Sequence, residues 1–365
     1  MLNTSTLGSR RLTTSMVKLK SFSNPMTNLT RWWRKRAVSK PEPQYLSLAL
    51  QGGGAHGAFT WGVLDALLED STMRFDALSG SSAGAVNSVV MTQGWLNGGA
   101  EGARQALSDF WLDVGKRIPW PMMTEGHGES IGLTATTKLL ANWVGMFSPT
   151  SLNPMDLNPL RDILDRQVDF ERIRRESPFK LFVGATHVNT GKLRLFREHE
   201  LTLDMLLASS CLPKIHHTVK IDDEPYWDGG FSANPAVFPL VKPGKNNDIL
   251  LVLLAPHQHD ETPQFMESIE SRIQELGFKT HFLREMNMYA QMLGNRREQS
   301  LSQTRFHMID SDLDVLQRSE TKILAYAPFL EILKDQGRKQ AKLWLSLHAD
   351  SVGKRSTVDL AQWLG

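Results

Sequence analysis

The stretch from Tyr45 to Gly84 constrains the fold of this chain more than any other, because it holds two strand–turn–helix units in succession. The apolar run Tyr45–Leu50 predicts a buried parallel strand that leads into a turn with three consecutive glycines. Apolar residues at helical spacing then predict a helix from Ala58 to Leu68. A second strand, Phe75–Leu78, leads into the turn Gly80-Ser81-Ser82-Ala83-Gly84 and a second helix. Each turn therefore opens a helix, where free backbone N–H groups and the helix dipole favour negative charge.

The rest of the chain continues to alternate strands with helices. Strands are predicted at 179–186, 193–196, 219–221, 248–255 and 305–309, and helices at 103–114, 202–212, 265–297 and 329–347. This alternation predicts a three-layer α/β/α sandwich with a mainly parallel central sheet. We expect a catalytic core at 43–260, a lid-like apolar insertion at about 119–159, and a mostly helical C-terminal part at 261–365 packed on the core.

Composition narrows the class of protein. The chain has 365 residues, of which 41% are hydrophobic and 22% charged, as in a globular protein with a large core. Its single cysteine, Cys211, excludes an intramolecular disulfide and suits a reducing compartment. It lies in an apolar helical pattern, so we expect a buried structural thiol rather than a nucleophile. No apolar run approaches the roughly 20 residues needed to cross a bilayer, and no signal peptide is evident, so a cytoplasmic location is expected.

Charge is distributed unevenly. Residues 1–40 carry nine Lys or Arg and no Asp or Glu, so the other residues carry 41 − 9 = 32 basic against 39 acidic side chains. We expect residues 1–42 to form a basic, disordered arm. Within it, Arg31-Trp32-Trp33-Arg34-Lys35-Arg36 pairs indoles with cations, which suits peripheral contact with an anionic membrane surface. The alternative is a solubilising arm whose tryptophans fold back on the body.

The second turn matches the Gly-x-Ser-x-Gly nucleophile-elbow pattern, with Ser82 between Gly80 and Gly84. A serine exposed on such a turn, beside amides that could bind an oxyanion, is what a serine acyl hydrolase requires. The pentapeptide alone is a weak signal. Only one strand–helix unit precedes it in the folded region, which argues against an α/β-hydrolase.

The first turn also matches the Gly-x-Gly-x-x-Gly dinucleotide fingerprint, through Gly52, Gly54 and Gly57. That fingerprint requires an acidic residue at the end of the second strand. Asp76 has the right spacing but lies at the start of that strand. The dinucleotide interpretation is therefore disfavoured.

A third motif, Asp228-Gly229-Gly230-Phe231-Ser232-Ala233-Asn234-Pro235, follows a predicted strand. By itself it could be a plain Asp-Gly hairpin turn. In this order, from about Tyr45 to Leu254, the three motifs resemble those of the patatin-like phospholipase family.

The resemblance implies a patatin-like fold and a Ser–Asp dyad in place of a triad. It implies that Ser82 is the nucleophile, that Asp228 is the general base, and that the turn Gly52-Gly53-Gly54 forms the oxyanion hole. The supporting motif residues are Gly80, Gly84, His56, Gly57, Gly229, Gly230 and Asn234. His56 departs from the family, which commonly has Lys or Arg there, and this places a phospholipid preference in question. His56 as a third catalytic member is a further alternative, though a turn histidine bonding the backbone is preferred.

The expected function is hydrolysis of a lipid or phospholipid acyl ester through an acyl-enzyme intermediate. An acyltransferase on the same dyad and a catalytically silent lipid-binding protein remain alternatives. No cofactor, nucleic acid or metal is expected, because the adjacent histidines His216 and His217 would point apart on a strand.

Overall fold

The structure, a computed structural model, describes residues 44–116, 123–126, 128, 131–144, 147–241, 247–254, 262–294, 303–311 and 313–363. The arm at 1–42, with the Arg31–Arg36 cluster, lies outside the described residues, as do residues 119–122 of the insertion. The described residues contain ten strands, in chain order β1 (Gln44–Leu50), β2 (Met73–Ser81), β3 (Thr124–Glu125), β4 (Gly132–Leu133), β5 (Lys180–His187), β6 (Leu193–Arg197), β7 (Val219–Ile221), β8 (Glu224–Asp228), β9 (Asn247–Val252) and β10 (Thr304–Ile309).

Ten α-helices accompany these strands within the described ranges. They are α1 (Gly57–Glu69), α2 (Ala83–Gly115), α3 (Ala135–Val144), α4 (Pro149–Leu152), α5 (Pro159–Gln167), α6 (Phe170–Glu176), α7 (Leu203–Ser209), α8 (Met266–Gly294), α9 (Asp314–Gln317) and α10 (Ala327–His348). No described helix has both the length and the apolar character that crossing a bilayer requires.

The central sheet has the strand order β10-β9-β1-β2-β5-β8-β7, with β6 also paired to β5. The five strands from β10 to β5 are parallel to one another, while β6, β8 and β7 join antiparallel. The β3–β4 hairpin stands apart from this sheet. The predicted fold class, a mainly parallel sheet in an α/β/α sandwich, is confirmed.

Hydrophobic cores lie on both faces of the sheet, as the alternation of side chains along β1 requires. Leu48 and Leu50 join the larger core with residues of α1, α2 and α10. Ala49 points to the opposite face, where it joins a smaller core that contains Phe282 of α8. Helices therefore cover both faces of the sheet. A site can then form at the carboxyl ends of the parallel strands.

Two helices differ in extent from their predictions. The helices predicted on either side of residue 98 are joined in α2, whose helical geometry is interrupted only at Gly98 and Gly99. Thr202 is the N-cap of helix α7, since the Met205 N–H donates to the Thr202 hydroxyl at 3.3 Å. It ends at Ser209, before Cys211, so that cysteine lies in the following turn instead of the helix.

Candidate active site

The turn after β2 holds Ser82 in an unusual backbone conformation. Its φ of 54° and ψ of −128° lie where non-glycine residues are strained, a state found mainly at functional sites. The Ser82 N–H donates to the carbonyl and the hydroxyl oxygens of Ser209, at 3.0 and 3.1 Å. Helix α2 begins at the next residue, Ala83. The end of α7 therefore braces the elbow from the side.

Close backbone contacts explain the glycines on either side of Ser82. A Cβ at Gly80 would lie 2.5 Å from the Gly84 carbonyl carbon. A Cβ at Gly84 would lie 2.1 Å from the Leu50 carbonyl oxygen, at the end of β1. Both distances are shorter than real Cβ contacts, so the spacing in Gly-x-Ser-x-Gly follows from the tightness of this turn.

The glycine-rich turn lies directly against Ser82. A Cβ at Gly52 would lie 2.7 Å from the Ser82 Cβ. The Gly52 N–H donates to the Asn234 Oδ1 at 2.7 Å, and the Asn234 Nδ2 donates back to the Gly52 carbonyl at 3.2 Å. The Gly52 N–H is therefore already bonded to Asn234. Of the three glycines expected to donate to an oxyanion, Gly52 cannot do so while this bond is present.

Three other amides around Ser82 remain available. No described residue accepts a hydrogen bond from the N–H of Gly53, Gly54 or Ala83. Gly54 has a φ of 59° and starts the short 3₁₀ turn Gly54–His56, while Ala83 is the first residue of α2. These amides belong to two helical starts, where backbone donors have no partner within the helix.

Strand register brings Asp228 to the level of the elbow. Ser81 pairs with Gly184 on β5, and the neighbouring Ala185 pairs with Asp228 on β8. The Ser81 hydroxyl also donates to the Ala233 carbonyl at 2.6 Å, which fastens the loop after Asp228 onto β2. The two motifs, more than 140 residues apart in the chain, thus meet across a single strand.

The Asp228 carboxyl group is fully buried and only half satisfied. Oδ1 accepts from the Gly230 N–H at 2.7 Å, whereas Oδ2 has no hydrogen-bond partner among the described residues. Burial raises the pKa of Asp228 to about 7, while the Gly230 amide and the Ser82 side chain oppose this by favouring the charged form. The Ser82 side chain therefore lies near enough to this carboxyl to influence its pKa, without a hydrogen bond of standard geometry to Oδ2.

The backbone of Asp228 is held firmly. Its N–H donates to the Cys211 carbonyl at 2.8 Å, and its carbonyl accepts from the Thr186 hydroxyl at 2.8 Å. These bonds hold the backbone from which the buried side chain extends. Within that side chain, Oδ2 is the oxygen that lacks a hydrogen bond among the described residues. A carboxyl with an open oxygen and a pKa near neutrality suits a general base.

His56 is buried away from this pair. Its Nε2 lies 2.8 Å from the Thr321 hydroxyl, and its Nδ1 has no hydrogen-bond partner among the described residues. Burial first, then the charges of Lys322 and Arg318, hold the pKa of His56 well below its usual value, so the ring is neutral. The preferred expectation, a bond to the backbone, is wrong, because the partner is a side chain from the C-terminal part.

The remaining sequence candidates have other partners. The Leu212 N–H donates to the His216 Nδ1 at 3.2 Å, and the His217 Nε2 lies 3.3 Å from the Pro149 carbonyl oxygen. Burial raises the pKa of the Cys211 thiol to about 11, so the thiol stays protonated. Asp76, the residue that a dinucleotide site would use, accepts from the Ser47 hydroxyl at 2.8 Å.

Sequence reasoning missed several residues that border the site. Ser209 braces the elbow, and Phe278 of α8 packs on the motif that contains Asp228: a Cβ at Gly230 would lie 2.2 Å from its ring. The ring centroids of Phe278 and Phe231 lie 4.6 Å apart. Both contacts are long-range, and no local pattern marks them.

Comparison with known proteins assigns the chain to a family. The family model described as patatin-like phospholipase matches residues 48–241, which is more than half of the chain. The chain belongs to this family, whose members are lipid acyl hydrolases. No curated protein matches the chain at a significant level.

Solved structures that match this chain include two bacterial proteins. VipD from Legionella pneumophila is 14% identical over 85% of this chain and 68% of its own, with a TM-score of 0.39. The ExoU–SpcU complex of the Pseudomonas aeruginosa type III secretion system is 15% identical over 84% of this chain, with a TM-score of 0.29. This chain spans about half of that protein's length, with 53% covered.

Proposed function

We propose that this protein hydrolyses lipid acyl esters with Ser82 as nucleophile and Asp228 as general base. One observation carries the proposal: the buried Asp228 carboxyl keeps Oδ2 open beside Ser82, at a pKa of about 7. A serine hydroxyl is a poor nucleophile unless a base lies within reach. Membership of the patatin-like phospholipase family favours a lipid substrate.

In the first step, the Asp228 Oδ2 accepts the Ser82 hydroxyl proton while Oγ attacks the ester carbonyl carbon. The carbonyl oxygen becomes an oxyanion that the N–H groups of Gly53, Gly54 and Ala83 stabilise. Protonated Asp228 then gives its proton to the departing alcohol, which leaves acyl-Ser82. Each such donor typically contributes roughly 2.7–4 kcal/mol of transition-state stabilisation.

In the second step, water attacks the acyl-enzyme with the help of the same base. Asp228 takes a proton from water, the hydroxide attacks the acyl carbonyl, and the proton returns to the Ser82 Oγ. The products are a fatty acid and the free enzyme. The same dyad would act as an acyltransferase if an alcohol replaced water, so products must be analysed.

The insertion at 119–159 is proposed to shape the acyl site. Its described part exposes several large apolar side chains, and those of Leu139, Met155 and Leu157 are the most exposed. Exposed apolar groups of this kind suit contact with acyl chains or a lipid surface.

The test is Ser82→Ala, measured on p-nitrophenyl butyrate and on phosphatidylcholine vesicles, together with fluorophosphonate labelling. Loss of turnover and labelling in the variant, with both present in the wild type, would support the nucleophile. Ser88→Ala is the matched control, because its buried hydroxyl donates to the Gly84 carbonyl within α2 and has no proposed chemical role. Turnover that survives Ser82→Ala would refute the dyad, and a wild type that labels but releases no acid would favour acyl transfer.

A further inference from the structure

The back of the glycine-rich turn is covered by a segment that lies outside the matched family region. This segment is the 3₁₀ turn Ser319–Ile323. Its Thr321 hydroxyl lies 2.7 Å from the carbonyl oxygens of Val315 and Arg318, so it donates its one proton to them. The remaining contact, with the His56 Nε2 at 2.8 Å, must therefore be one in which the ring N–H donates. A buried, neutral His56 thus fastens this segment to the turn.

The neighbouring residue, Lys322, touches the turn itself. A Cβ at Gly54 would lie 2.4 Å from the Lys322 carbonyl oxygen and 3.7 Å from its Cβ. The Lys322 side chain therefore starts beside one of the amides proposed to bind the oxyanion. This contact uses the backbone, so it survives a change of side chain.

The Lys322 ammonium has no close partner among the described residues. Its side chain is half-buried and makes no hydrogen bond or ion pair with the described residues. Burial lowers the pKa of Lys322, and the charge of Glu275 on α8 opposes this. Other charges bordering this region are Arg318 just before the segment, Glu320 on it, which lies 3.8 Å from Lys138, and Arg272 and Lys279 on α8. Burial is the largest cause of the lowered His56 pKa, and the charge of Lys322 is the second largest.

We propose that Lys322 is a positioning residue whose ammonium supplies positive potential at the glycine-rich turn, so that an oxyanion facing Gly53 and Gly54 is stabilised. The inference rests on the proposed function. A cation without a close partner, in partly desolvated surroundings, acts on a developing negative charge more strongly than it would in water. Because the charge forms only in the transition state, the effect belongs in kcat and not in KM.

The test compares Lys322→Met with Lys322→Arg on p-nitrophenyl butyrate, a neutral ester without a headgroup. Turnover is expressed per site titrated with a fluorophosphonate at its end point, so that only folded enzyme is counted. We expect kcat to fall by about tenfold or more in the methionine variant, with KM unchanged, and to be largely restored by arginine. Lys334→Met is the matched control. This lysine of α10 is also part-buried, but its ammonium lies over the ring of Trp61, which belongs to α1.

Two kinetic outcomes would overturn the proposal. One is an unchanged kcat in Lys322→Met. The other is an unchanged rate on the neutral ester with a raised KM for phosphatidylglycerol vesicles alone, which would assign the cation to a lipid headgroup.

A second readout does not depend on turnover. NMR titration of the His56 imidazole should show its pKa moving up toward the ordinary value in Lys322→Met, and staying low in Lys322→Arg and Lys334→Met. A His56 that titrates alike in all four proteins would show that the ammonium exerts no field at the turn. A field without any hydrolysis by the wild type would instead refute the proposed function, and with it the role of Lys322 in oxyanion stabilisation, while the positive potential at the turn would stand as measured.

Discussion

Two buried aspartates of the same sheet have opposite surroundings. Asp228 at the end of β8 is 0% exposed, and Asp248 near the start of β9 is 4% exposed. Asp248 accepts from Arg305 at 2.9 and 2.8 Å, from the Gly353 N–H at 2.9 Å, and lies 3.0 Å from the His307 Nε2. Asp228 has one amide donor and an open oxygen. Burial of a carboxylate therefore does not by itself indicate function; the state of its partners does.

The pKa values follow from this difference. Burial raises the pKa of both groups, but hydrogen bonds from His307, Arg305 and Gly353 and the Arg305 charge bring that of Asp248 below its usual value. At Asp228 burial prevails, and the pKa rises to about 7. The Asp248 carboxylate is thus charged at neutral pH, and its hydrogen bonds join β9, β10 and the C-terminal segment. The Asp228 carboxyl can exchange a proton near neutral pH.

The largest expected difference is in activity. Asp228→Asn should lower kcat by about 10²–10⁴-fold, because an amide cannot accept the serine proton. Asp248→Asn should keep near wild-type kcat per folded site at 20 °C. Both are measured on p-nitrophenyl butyrate, with the folded fraction of each variant taken from circular dichroism, because a titrant of Ser82 would itself need the base. Equal losses per folded site in the two variants would remove the distinction between them.

Stability should show the reverse order. Asp248→Asn leaves the Arg305 guanidinium buried beside a neutral group, and it should lower the free energy of unfolding by about 3–5 kcal/mol. Urea unfolding measures this loss. The control is Asp204→Asn, which breaks an exposed ion pair with Arg161 and should cost about 0–1 kcal/mol. A loss no greater than that of the control would show that the Asp248 network is not stabilising.

The pH dependence of activity should locate the functional carboxylate. If ionised Asp228 is the base, kcat should rise with pH and reach half its limit near pH 7, the value to which burial raises this pKa. Stopped assays from pH 5 to 9 on a neutral ester would show it. A flat profile over that range would mean that Asp228 is already ionised at pH 5 or is not the base.

The smallest expected effect is a gain in stability. A carboxyl whose folded pKa is raised contributes stability that is complete below the unfolded value of about 4 and is lost as pH rises through the folded value. Asp228→Asn avoids that loss. We expect its melting temperature to exceed that of the wild type by roughly 2–4 °C at pH 8, and not at pH 4. Calorimetry at the two pH values measures it, and a lower melting temperature at pH 8 would contradict it.

Sequence patterns identified the parts of the site that depend on local geometry. The strand–turn–helix units, the elbow around Ser82 and the Asp228 motif were readable because each imposes its own glycine spacing. The parallel sheet followed from the alternation of strands and helices. The roles proposed for Ser82, Asp228, Gly53 and Gly54 stay predictions until the variants are measured.

Other features could not be read from the sequence, because they depend on contacts between distant segments. Nothing near Gly52 indicates that Asn234 occupies its amide, and nothing near His56 indicates Thr321 as its partner. The open oxygen of Asp228 is likewise a property of the assembled fold. Side-chain partners across the chain decide which groups remain free to react, and a linear pattern does not contain them.

The paired hydrogen bonds between Gly52 and Asn234 join residues 182 positions apart. During synthesis, the loop beside Ser82 therefore lacks its brace until residue 234 has emerged from the ribosome, and the carboxylate at 228 arrives only six residues earlier. A polypeptide truncated before residue 228 carries Ser82 and every glycine of the first two motifs, yet it lacks both the proposed general base and the residue that occupies the Gly52 amide. The proposed activity therefore depends on a segment that is translated long after the elbow.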